Sequence, residues 1–193
     1  MSYLNSDDEL WRCIASISES RSLAIYDIER PHGEKLIISI CKANSKIVGN
    51  STELFGENIQ AGVSVEDCSQ MVRELMVYFQ VEGEAFKLGK EPEIEVCSPG
   101  VNRTLRNKWH FLNAINERVR IVFKDSINFE SKPINTVIGV LSACDEDAVT
   151  VANEENSGQL IEVKLDNIKR AHVDFDFDRK PSNNTKKAKL KIK

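Results

Sequence analysis

Asn102, Arg103, Arg106 and Lys108 follow closely on Ser98-Pro99-Gly100, and side chains of these types hold anions. An Arg guanidinium gives a phosphate two parallel hydrogen bonds, and Lys adds a compact point charge. The preceding turn makes the cluster more than a chance polar run. Pro99 fixes φ at the second turn position and Gly100 supplies the positive φ of the third, so the spacing predicts a type II turn that sets Asn102 and Arg103 on stiff backbone. For Arg103 an equally weighted role is to pin two halves of the chain together through a carbonyl or carboxylate. Residues 174–178 (DFDFD) alternate, which places Asp174, Asp176 and Asp178 on one face. That face suits a basic protein or, more readily, protects a sheet edge from aggregation. The last residues hold Lys186, Lys187, Lys189 and Lys191, a salt-dependent and sequence-independent grip on RNA phosphates unless they are merely solvated.

Catalytic patterns fail one by one. Residues 83–90 (GEAFKLGK) place five residues between the glycines where a phosphate loop has four, and they precede a strand where a helix is required. Gly62-Val-Ser64 lacks the second glycine of a nucleophile elbow, and helix capping accounts for Ser64. His32, His110 and His172 fall in a turn, a connector and a strand, and no carboxylate pair stands out for acid–base work. The five cysteines, at 13, 41, 68, 97 and 144, form no CxxC pair, so neither a zinc knuckle nor a disulfide framework is indicated. The expectation is a protein that is not an enzyme and has no cofactor and no metal.

The elements that position these groups follow from periodicity. Ser6-Asp-Asp-Glu9 has the form of a capping box, and Leu10, Trp11, Ile14 and Ile17 share a helical face, which predicts a helix over 7–20. Runs over 23–29 and 35–41, joined across Pro31 and Gly33, read as a hairpin with Leu36, Ile38 and Ile40 on one face. Residues 44–62 read as a loop insertion. Ser64-x-x-Asp67 caps a second helix carrying Val65, Cys68, Met71, Val72, Leu75, Met76 and Phe79 at helical spacing until Gly83. In residues 93–97, Ile94 and Val96 turn inward. Downstream the period falls to two: 118–124, 136–141, 148–151, 160–165 and 168–173 read as short strands. Brief turns between them, including 124–133 (KDSINFESKP), point to a small SH3-like or Sm-like barrel, whose closure hides its edges.

The fold class is therefore α+β: an N-terminal α-β-β-α-β unit over 1–108 with two helices on one face of a small sheet, then a barrel over 109–178. A basic tail over 179–193 follows, and the hinge is expected within 105–116. The net charge of −4 divides unevenly, because 179–193 hold seven Lys/Arg and no acid, leaving 19 bases against 30 acids in the rest. An acidic body attracts basic protein while the tail is drawn to phosphate. No apolar run approaches the roughly 18 residues of a membrane span, and the N-terminus is acidic where a signal peptide is basic, so a cytoplasmic monomer away from membranes is expected.

Within EVCSPGVNRTL, the residues Glu95, Val96, Ser98, Pro99, Gly100, Arg103 and Leu105 match a known hallmark. Together with Gly62-Val63 and Asp67-Cys68 upstream and the small β unit downstream, this segment resembles the ribosome maturation factor RimP family. In that family a strand runs into Ser-Ser-Pro-Gly-(hydrophobic)-Asp-Arg-Pro-Leu. The likeness extends from the first helix to about Phe177; Cys97, Asn102 and Thr104 stand where the hallmark has Ser, Asp and Pro, and 44–62 and the basic tail are additions. The resemblance implies a non-catalytic cytoplasmic assembly factor that binds the immature small ribosomal subunit through ribosomal RNA and a basic ribosomal protein. The alternatives are a general Sm-like module acting on small RNAs and, with less behind it, a hydrolase.

Overall fold

The computed structural model describes residues 2–4, 7–32, 34–42, 63–88, 91–130, 132–154 and 158–175. The expected insertion over 44–62, the tail over 179–193 with Lys186, Lys187, Lys189 and Lys191, and the carboxylates Asp176 and Asp178 lie outside the described residues. The protein is α+β and has two sheets, one ordered β1-β2-β3-β4 and the other β5-β10-β6-β7-β8-β9.

The first sheet comprises β1 (Ser2–Tyr3), β2 (Leu23–Arg30), β3 (Leu36–Lys42) and β4 (Ile94–Cys97). Helix α1 (Glu9–Glu19) starts at Asp8, whose carboxylate accepts from Leu10 N at 2.9 Å. The sequence points to Ser6 as the cap, but Asp8 puts a full negative charge directly on the helix's free amides. Helix α2 (Val65–Glu82) begins with the expected box: Ser64 Oγ accepts from Asp67 N at 3.1 Å, and Ser64 N donates to the Asp67 carboxylate at 2.8 Å. Lys42 also binds Asp67, and these contacts hold its carboxyl down at about 2.

Strands β2 and β3 pair antiparallel, whereas β3 and β4 pair parallel in the register Leu36↔Ile94 to Ser39↔Cys97. A parallel neighbour needs a crossover, and α2 lies on it. A bulge between Ile25 and Asp27 lets Ile25 and Ile28, an odd number of residues apart, share the helical side. There they join Leu10, Ile14, Leu36, Ile38, Ile40, Met71, Leu75 and Phe79 in one core. Tyr26 and Asp27 remain for the other side, toward the second sheet.

The second sheet is antiparallel throughout: β5 (Thr104–Leu105), β6 (Arg118–Phe129), β7 (Lys132–Cys144), β8 (Ala148–Asn153), β9 (Gln159–Lys164) and β10 (Ile168–Val173). The five expected strands are present. Two features differ from the sequence reading. The segment 124–133 is mostly strand, because Ile127, Phe129 and Ile134 pack against the second core and carry the β6–β7 hairpin out to Glu130, at φ 47°. The sheet also begins earlier than the 108/109 division: Leu105, 2% exposed, enters the second core and pairs with Ala171. The passage between sheets is thus the Ser98–Arg103 turn, and the expected connector contains a short helix, α3 (Lys108–Leu112). Pairing runs from β5 at one edge to β9 at the other without closing among the described residues.

Candidate functional site

The hallmark turn has the expected conformation at Gly100, φ +74°. It delivers Asn102 and Arg103 to the start of the second sheet, where both serve the chain itself. Asn102 Oδ1 accepts from Phe175 N at 2.8 Å, and the Arg103 carbonyl accepts from Val173 N at 2.9 Å, so the turn clamps the chain leaving β10.

The Arg103 side chain is fully enclosed, at 0% exposure. Its Nη2 donates to the Asn113 carbonyl at 3.1 Å and to Glu117 at 2.9 Å, while Nε and Nη1 are buried with no hydrogen-bond acceptor among the described residues. The expected phosphate contact is therefore corrected: a guanidinium with no exposed surface pins structure and does not meet a ligand. Its partners are a carbonyl and a carboxylate, as in the second role weighed from sequence, but both lie in 113–117 beside the second sheet, and the contacts that reach across to β2 are those of Arg106.

Arg106 spans the two sheets. It binds Asp27 through Nη1 and Glu29 through Nη2, the latter at 3.1 Å. Burial pushes the Asp27 carboxyl above its ordinary value, and the Arg106 charge offsets this only in part. With both terminal nitrogens on carboxylates of β2, Arg106 too departs from the expected RNA contact. Lys108 opens α3 with an exposed side chain, as a ligand-facing cation requires.

Tyr26 and His110 complete the junction. Tyr26 OH donates to the Thr104 carbonyl at 2.7 Å, and burial raises its phenol pKa. The His110 ring stacks on Tyr26 with centroids 4.2 Å apart and planes 5° from parallel, while Trp109 meets Tyr26 edge-on. His110 Nδ1 accepts from Arg106 N at 3.0 Å, so the proton sits on Nε2, which donates to the Tyr26 carbonyl at 2.9 Å. The ring is neutral: burial lowers its pKa to about 4, the bond to the Tyr26 carbonyl opposes that, and the nearby Arg106 and Arg103 charges add to it. With both nitrogens engaged, His110 has no free position for acid–base work. Sequence reasoning placed this histidine in a connector without a partner. The signal for its site was the Tyr26-Asp27 pair, a polar interruption in the aliphatic run of β2.

The acidic edge is only partly described. Asp174 pairs with Arg118 and, at 3.5 Å, with Arg120, so its charge is spent within the sheet. On the helical side an open recess of about 450 Å³ is lined by Arg21, Gln70, Arg73, Glu74 and Val77, but Arg21 binds Glu74 and Arg73 binds Glu66. Among the described residues no group of three or more His, Cys, Asp or Glu is arranged to hold a metal, and no helix is long and apolar enough to cross a membrane. The arrangement defines a protein with a polar joint between two sheets. No known family model matches the sequence.

Proposed function

We propose that this protein is a non-enzymatic ribosome maturation factor of the RimP kind, which binds the immature small ribosomal subunit through ribosomal RNA and a basic ribosomal protein. The observation that carries the reading is the Ser98-Pro99-Gly100 turn. Residues shared with the family hallmark serve here as the joint between a helix-covered sheet and a small β unit: Gly100 takes positive φ, Arg103 is enclosed, and Leu105 enters the second core. In this reading the second sheet is the SH3-like unit of the family, although β5 and β9 do not pair with each other among the described residues. RNA contact falls to Lys108 and the lysines of the tail, since Arg103 and Arg106 are consumed by the joint. An acidic body with a cationic extension suits a partner that offers both phosphate and basic polypeptide.

The test is sucrose-gradient fractionation of cell extract followed by detection of the protein. It is expected with free small subunits and absent from translating ribosomes. Equal presence on polysomes, or none on small subunits, refutes the reading. Tight binding to uridine-rich RNA by an oligomeric ring, without any ribosome, favours the small-RNA module in its place.

A further inference from the structure

Strand β9 is the open edge of the second sheet, paired only with β8 among the described residues. An edge strand turns a row of N–H and C=O groups outward, and such edges are usually blunted by a proline, a bulge or a cover. In β9, Ile161 and Val163 enter the core, while Leu160, 62% exposed, and Glu162 face the other way. The apolar patch continues across the sheet, since Leu160 lies opposite Ala152 and Ala152 opposite Val140, itself exposed.

Acid gathers around this edge. Asp145, Glu146 and Asp147 are exposed in the turn between β7 and β8. Leu165 N donates to the Asp147 carbonyl at 2.8 Å, which holds that turn against the end of β9. With Glu162 they set four carboxylates against Lys164, the cation of the strand itself. Asp166 lies just beyond, where Lys124 binds its carbonyl. Asp174, the acid singled out by sequence, is by contrast neutralised by Arg118 and Arg120.

We propose that β9 receives a basic, extended segment of another protein as an added strand. Main-chain hydrogen bonds along the edge supply affinity, and alternate side chains supply selectivity. Residues on one face repeat every second position, so the incoming segment needs an apolar residue beside Leu160 and a Lys or Arg beside Glu162, an apolar-x-basic pattern. That the partner is a ribosomal protein rests on the function proposed above; the edge and its charge do not.

The experiment uses the isotope-labelled full chain and a synthetic peptide repeating Val-Thr-Lys-Thr, which sets valine and lysine two residues apart on one face, with Val-Thr-Glu-Thr as control. Amide exchange should slow within Gln159–Lys164 on adding the lysine peptide alone. Glu162→Lys should weaken binding about fivefold, and Glu162→Gln about two- to fivefold, the range of an exposed ion pair. Protection elsewhere, or equal binding of the acidic control, overturns the proposal. If β9 is already protected without peptide and becomes exposed when residues 186–193 are deleted, the chain's own terminus is the occupant and a separate partner is refuted. Protection of the same amides by an RNA oligonucleotide in place of the peptide refutes it as well. Gradient fractionation separates the two claims. Wild-type protein absent from small subunits sinks the ribosomal reading while leaving peptide binding intact; wild-type and Glu162→Lys proteins equally present there, with peptide binding weakened in the variant, keep β9 as a peptide-docking edge and refute a ribosomal protein as its partner.

Discussion

Replacing Arg103 by Ala should destabilise the protein strongly, and its size can be worked from the contacts. The substitution deletes the bonds to the Asn113 carbonyl and to Glu117 and empties the space of an enclosed guanidinium. Removing one partner of a buried ion pair costs about 3–5 kcal/mol. Two features lower the figure. Glu117 is 31% exposed, so water can resolvate its carboxylate, and the buried Nε and Nη1 already weaken the native state. A net loss of about 2–4 kcal/mol remains, which for a chain of this length lowers Tm by about 4–16 °C. Thermal unfolding followed by circular dichroism, on Arg103→Ala, Glu117→Ala and the double variant, measures both the loss and the coupling of the pair. A Tm for Arg103→Ala within about 2 °C of wild type, with no coupling to Glu117 and weakened binding to small subunits, would refute the anchor and return Arg103 to the role of ligand contact.

Two further perturbations probe the joint and the second core. His110 has a pKa of about 4 when folded, against about 6.5 in an unfolded chain, so the unfolded state binds more protons between those values. Its contribution is complete above about pH 6.5 and is lost as pH falls toward about 4, by up to roughly 3 kcal/mol; urea unfolding at several pH values should show this loss, and His110→Phe should flatten it. At Gly139 an added Cβ would lie 2.0 Å from the Ala152 carbonyl oxygen, so Gly139→Ala must push β7 and β8 apart. A cost of at least about 1–3 kcal/mol is expected from the urea midpoint, with faster amide exchange in β8.

Local chemistry was legible in the sequence where a motif completes itself within a few residues. Ser64 and Asp67 satisfy each other's amides, and Gly100 takes the conformation that Pro-Gly specifies, so neither waits on distant packing. Alternation located the long strands for the same reason. What stayed hidden depends on partners far along the chain. Asp125, Ser126 and Asn128 look like turn residues, but Ile127, Phe129 and Ile134 gain burial only once the second core exists, and that overrides local preference. Thr104–Leu105 is too short to carry a period and is a strand only because β10 pairs with it. The candidate site divided along the same line. The sequence placed Arg103 and Arg106 at a junction, yet gave no sign that Glu117, Asp27 and Glu29 would take their charge.

Strand β5 has a consequence for the order of assembly during synthesis. It leaves the ribosome long before its partner β10, and until residues 171 and 172 emerge it has no neighbour in the sheet. The Thr104 carbonyl that Tyr26 grips belongs to this late-paired segment. The first sheet and its contacts with residues 104–110 can therefore form early, as domains do when they fold from the N-terminus, while β5 gains its place in the second sheet only when translation of the described chain is nearly complete.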